Sequence, residues 1–101
     1  MYIINVRFAW DKEKARRNAV KHGVGFKEAT TAFHDRDGML ADDLAHSRRE
    51  PRYWLIGESV QGRLLVVIFT KRPGGTTRLI SARLALAEER RDYEENRDIP
   101  L

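Results

Sequence analysis

The chain has 101 residues, 42% of them hydrophobic and 34% charged, with a formal charge of +4 and no cysteine. That suits one core-forming domain over residues 1–101 rather than a disordered chain, and it excludes disulfides, thiolate metal sites and cysteine nucleophiles. The charge is uneven. Residues 48–83 hold eight cations against Glu50 and Glu58, whereas residues 84–101 hold three arginines against six acids. A basic body with an acidic tail points to a polyanionic partner such as nucleic acid; a solvated surface tuned for solubility is the plainer reading.

Ile3 to Phe8 is short and β-branched, and reads as a strand, at an edge of a sheet. Asp11 then suits an N-cap, since its carboxylate can accept the free amide hydrogens of a first helical turn. The helix predicted over Lys12–His22 ends at Gly23, which tolerates the left-handed conformation. Its apolar content is thin, mainly Ala15, Ala19 and Val20, so it should lie close against a sheet. A second short helix starts at Val24-Gly25-Phe26 and presents Phe26, Ala29 and Phe33 on one face. His34–Gly38 is a turn, Met39–Ala41 a short strand, and Asp42–Pro51 a polar loop.

Three strands follow in close succession, at Arg52–Ser59, Arg63–Lys71 and Thr76–Arg83, joined by turns at Val60–Gly62 and Arg72–Gly75. Connections this short force antiparallel hairpins. The run LLVVIF in the second strand is apolar on both faces and marks the centre of the sheet. A charged helix over about Ala85–Asn96 closes the chain. The expected fold class is α+β, an antiparallel sheet with helices packed on one face.

No Walker-type loop, G-x-G-x-x-G or G-x-S-x-G is present, and Gly74-Gly75 is explained by hairpin chemistry. His22, His34 and His46 stand twelve residues apart on different elements, so no metal site and no cofactor are expected. The opening MYIINVRFAWD does not read as a signal peptide, and no run approaches the ~20 apolar residues of a membrane span. A cytoplasmic protein without membrane contact is expected.

What remains is a set of arginines. Antiparallel pairing places Arg63 and Arg83 at one end of the sheet, with Glu58 beside them, and Arg72 and Arg78 towards the other. RNA can be cut without a metal when a base takes the 2′-hydroxyl proton, an acid gives a proton to the leaving 5′-oxygen, and guanidinium groups hold the phosphate. Glu58, His46 and His22 are candidates for proton transfer; Arg83, Arg72 and Arg63 are candidates for the phosphate. Plainer roles exist for most of them. Arg63 and Arg72 suit strand-end gatekeepers, Glu58 a simple ion pair, His22 the dipole of a helix C-terminus and His46 an exposed loop. Trp10 and Tyr93 suit packing between helix and sheet.

In order along the chain stand F-x-W-D at Phe8–Asp11, N-x-x-K-H-G-V at Asn18–Val24 with Phe26 and Glu28-Ala29, and D-x-x-H at Asp43–His46. Then come G-x-S-x-x-G-R at Gly57–Arg63, V-x-F-T-x-R at Val67–Arg72 and R-x-I-S-A-R at Arg78–Arg83, with Glu89 and Tyr93 after them. Their order and spacing over residues 8–93 resemble the BrnT toxins of bacterial type II toxin–antitoxin systems. The resemblance implies a RelE-like ribonuclease fold and translation inhibition through RNA cleavage. It also implies a BrnA-like ribbon–helix–helix antitoxin, through which alone the toxin would meet DNA. It carries a catalytic or RNA-binding role onto Arg72 and Arg83, with Glu58 and His46 as further catalytic candidates; from their charge and place on the strands, Arg63, Lys71 and Arg78 are expected as RNA contacts. One position departs: many relatives carry a second basic residue after S-A-R, where this chain has Leu84; if that second charge helps hold RNA, weaker activity or reliance on Arg63 and Arg78 is expected. The competing function is a non-enzymatic module that binds antitoxin or nucleic acid in control of its own operon.

Overall fold

The computed structural model describes residues 7–46 and 49–97. In chain order these form β1 (Arg7–Ala9), α1 (Lys12–His22), α2 (Phe26–Thr31), β2 (Met39–Asp42), β3 (Tyr53–Glu58), β4 (Leu64–Lys71), β5 (Thr76–Leu84) and α3 (Ala87–Arg97). Single 3₁₀ turns occupy Ala32–His34 and Leu44–His46. One five-stranded sheet runs β1-β5-β4-β3-β2, with β4 at its centre as its LLVVIF run requires. The strands β2 to β5 are antiparallel. β1 departs from the expected pattern and pairs parallel to β5, Arg7 lying opposite Thr76. The chain between β1 and β5 is long, so no hairpin constrains the direction of that pair. It is an edge strand as expected; residues 3–6 of the predicted strand lie outside the described residues.

Asp11 caps α1 by accepting a hydrogen bond from the Lys14 amide at 2.8 Å, and Gly23 ends it at φ 69°. The expected apolar anchor is only partly right. Ala15 packs against the core, but Val20 is 78% exposed. The residue that α1 buries is Asn18. Its side-chain amide donates to the backbone oxygens of Val24 and Ala82 (3.0 and 2.8 Å) and accepts from the Ala82 amide at 3.1 Å. Both polar ends are therefore satisfied inside the core.

Phe26, Ala29 and Phe33 are buried together, as their spacing predicts, against Leu55, Leu65, Val67, Phe69, Leu79 and Ala82 of the first sheet face. Each fully buried large side chain of this kind contributes roughly 1.5–3 kcal/mol. Gly57 lets the turn after α2 sit on β3, since a Cβ there would lie 2.7 Å from the Ala32 oxygen. The second face is different. Ile56, Leu64 and Val66 are covered by Tyr93 of α3, with Trp54 and Ile68 half-buried at the margin. Helices on one face therefore holds for α1 and α2, while α3 lies against the opposite face. The first face is already filled, and the pairing of Glu89 with Arg83 holds α3 where it is.

Candidate functional site

In a regular strand Arg78 and Arg83, five residues apart, would point to opposite faces. They do not, because β5 carries one extra residue. Ser81 pairs with Ile68 and Leu79 with Phe69, leaving Ile80 unpaired in a bulge. The consequence is that Arg78 opposite Thr70, and Arg83 opposite Val66, share the second face. Asn18 braces this stretch from the other side through both backbone groups of Ala82, the residue before Arg83.

Arg83 meets Glu89 through two hydrogen bonds of 2.7 and 2.8 Å, and donates a third to the Leu84 oxygen at 3.2 Å. Three of its five N–H donors are thereby used, and the rest of the guanidinium stays available. The Glu89 carboxylate also accepts from the Leu86 amide at 2.8 Å, the reciprocal half of a capping box at the start of α3. One carboxylate thus starts the helix and aims the arginine. Arg83's hydrogen bonds hold the Glu89 carboxyl below its ordinary value, although burial opposes this, and Glu89 raises Arg83 in return. Both remain ionised at neutral pH. Beside them opens a cavity of about 340 Å³, floored by Trp54, Ile56, Val66 and Ile68 and rimmed by Arg83, Glu89, Asp92 and Asp43.

The expected grouping of Glu58, Arg63 and Arg83 is not assembled. Arg63 and Arg83 share an end of the sheet, but Arg63 turns to the first-face side. There its guanidinium pairs with Glu28 and donates to the Gly23 oxygen at 3.0 Å. Ser59 adds a 2.7 Å hydrogen bond to the same carboxylate. Together these hold Glu28 below its ordinary pKa, the arginine contributing most. The group ties the end of α1, α2 and the β3–β4 turn together. Glu58 does lie on the second face, opposite Leu64, but lines a separate cavity with His34, Asp35, Asp37, Tyr93 and Arg97. Tyr93 borders that cavity through its hydroxyl, which donates to Asp35 at 2.6 Å, and Asp35 also accepts from the Glu58 amide at 2.7 Å. Burial and Asp35 raise the phenol above its ordinary value.

The remaining candidates scatter. Arg72 is exposed in the β4–β5 turn, where its amide donates to the Thr76 oxygen at 2.8 Å. It stands six residues along β4 from Val66, the partner of Arg83, or roughly 20 Å. The two arginines therefore cannot grip one phosphate. Lys71 faces the first side, its amine 3.0 Å from Thr77 Oγ1 and 5.9 Å above the Phe69 ring. Arg78 pairs with Glu50 at 3.3 Å. His22 ends α1 on the first-face side. His46 ends the turn that follows Asp43, and its side chain lies outside what the structure describes. Leu84, at the position that departs from the family pattern, lies opposite Leu65 and is 47% exposed. Among the described residues no three His, Asp or Glu converge into a set that could hold a metal ion.

Sequence reasoning missed the partners of Glu28, Glu89, Asp35 and Asn18. Glu89 had a local signal, an acid three residues after a helix start. For Glu28 and Asp35 there was none, since their partners lie 35 and 58 residues away.

By fold and charge the chain falls in the class of small basic α+β domains whose open sheet face carries guanidinium groups. Residues 10–89 match the family described as "Ribonuclease toxin, BrnT, of type II toxin-antitoxin system", and the chain belongs to that family. The fold is similar to that of the Brucella abortus ribonuclease toxin BrnT, with a TM-score of 0.64 and 24% identity. The likeness covers 81% of this chain and 99% of that one. No curated protein matches the chain in sequence. The protein is thus a ribonuclease toxin of a type II toxin–antitoxin system, with RNA as its substrate class and an antitoxin as its partner. Among the described residues no helix is long and apolar enough to cross a membrane.

Proposed function

We propose that the chain is a single-domain, metal-independent endoribonuclease that acts in the cytoplasm and inhibits translation by cutting mRNA. The 2′-hydroxyl attacks the adjacent phosphorus as its proton passes to a base. The bond to the 5′-oxygen breaks as that oxygen gains a proton, leaving a 2′,3′-cyclic phosphate and a 5′-hydroxyl. Arg83 stabilises the charge that builds on the phosphorane oxygens. The observation that carries this reading is the Arg83 fork, aimed by Glu89 on an open sheet face with donors to spare.

For proton transfer His46 and Glu58 are both candidates. Glu58 lines a cavity separate from the one that Arg83 borders. Arg78 and Arg72 extend the cationic track to neighbouring phosphates. Lys71 and Arg63 drop out of it, because the first sits on the opposite face and the second is held by Glu28. The antitoxin is assigned to the BrnA-like ribbon–helix–helix class, binding DNA on behalf of the pair. The acidic α3 is a surface it could cover.

Labelled RNA incubated with the purified chain in EDTA tests the reading. Fragments ending in a 2′,3′-cyclic phosphate, lost in Arg83→Ala at matched protein level, are expected. Salt-sensitive binding with intact RNA would instead make the chain a non-enzymatic binding module.

A further inference from the structure

We propose that the cavity beside Arg83 is a subsite for one nucleobase of the RNA, stacked on Trp54 and read at its hydrogen-bond-donor edge by Asp92. The inference rests on the reading of Arg83 as the phosphate contact of an RNA-cleaving site.

The floor comes from the cross-strand pair Trp54 and Ile68, with Ile56 and Val66 beneath. Trp54 and Ile68 remain half-buried because α3 buries only Tyr93 against this face. A flat indole and a guanidinium lining one cavity suit single-stranded nucleic acid, whose bases stack on aromatic rings while its phosphates meet cations. The rim decides what enters. Arg83 is already matched by Glu89, so Asp92 leaves the rim net negative. A second phosphate is repelled there; an aromatic ring with outward N–H groups is not.

Asp92 follows Glu89 by three residues and so faces the same side of α3. Its exposed carboxylate has no hydrogen bond or ion pair among the described residues. An ionised carboxylate only accepts, and its two oxygens match two adjacent donors. Guanine offers such a pair at N1–H and N2–H. Adenine and cytosine set an acceptor beside their amino group, and uracil has a single N–H between carbonyls. The subsite is therefore selective for guanine.

Short RNAs that differ only in one base (guanine, inosine or adenine in a uridine background) test this with the full chain. Wild-type kcat/KM should favour guanine over inosine, which lacks the N2 donors, by about tenfold, and Asp92→Asn should bring that ratio close to one. Trp54→Leu should raise KM about tenfold on all three RNAs, and Trp54→Phe should recover most of the loss while both variants keep their melting temperature near wild type. Cleavage that depends on Arg83 but treats the three bases alike, or a ratio unchanged in Asp92→Asn, overturns the subsite and leaves the enzyme reading standing. If no RNA is cut at all, the enzyme reading fails and binding decides. Trp54 fluorescence in a Trp10→Phe background, quenched more by the guanine RNA than by the inosine RNA, keeps the subsite. Quenching by neither RNA, or only on addition of the antitoxin, overturns it.

Discussion

Two arginine–glutamate pairs lie at the same end of the sheet, on opposite faces. The arginines are equally exposed, 36% for Arg63 and 37% for Arg83, but Glu28 is 6% exposed and Glu89 25%. Arg63 closes the core. Its carboxylate partner is buried, and a serine and the end of α1 complete the cluster. Arg83 borders an open cavity, and its partner aims it without enclosing it. A guanidinium's own exposure therefore says little about its role; the burial of its partner and the space beside it say more.

The sharpest way to break this comparison is to truncate each arginine and measure both activity and stability. Arg83→Ala should lower RNA cleavage by roughly 100- to 1,000-fold, with a stability change within about 1 kcal/mol, as for a partly exposed pair. A cleavage rate near wild type would remove Arg83 from the chemistry. Arg63→Ala should instead lower the melting temperature clearly more than Arg83→Ala does, because it strands the buried Glu28 carboxylate. A melting temperature within a few degrees of wild type would show that Ser59 alone satisfies Glu28.

Asn18→Ala should destabilise by about 2 kcal/mol, since the buried Ala82 amide and the oxygens of Val24 and Ala82 lose their partner. It should also slow cleavage in the folded protein, because Ala82 precedes Arg83; loss of stability alone would separate Asn18 from the site. Tyr93→Phe is a smaller change, about 1 kcal/mol in chemical denaturation, from the lost hydrogen bond to Asp35.

Acid sharpens the contrast most gently. Glu28 and Glu89 both have folded pKa values below the ordinary 4.5, through Arg63 and Arg83 respectively. Groups depressed in this way stabilise fully above the unfolded value, and lose that contribution as pH falls through the lower folded one. Stability should therefore be level from neutral pH to about 5 and fall below 4.5. Arg63→Ala should flatten the fall more than Arg83→Ala. Equal effects would mean that the two pairs are energetically alike.

Much of this was readable before any coordinates. The Asp11 and Gly23 caps, the Phe26–Ala29–Phe33 face, the three-strand meander and the central place of LLVVIF arise within a few residues or from short connections. The spaced motifs reached the family as well. Arg83 stood out as the residue closing the S-A-R stretch, and Arg63 and Arg83 were placed at the correct end of the sheet. The common face of Arg78 and Arg83 was not readable, because one bulged residue, Ile80, reverses the alternation between them. Nor were the partners of Arg63 and Arg83. Any acid in the chain is chemically competent to pair with an arginine, and only packing selects Glu28 for Arg63 and Glu89 for Arg83.

Sequence alone therefore determined the elements, their order and the family, because hydrogen bonding in caps and turns and the periodicity of apolar residues act locally. The tertiary structure decided which arginine closes the core and which stands open beside Trp54. That choice depends on strand parity, on the packing of α3 against the second face, and on side chains brought together from distant parts of the chain.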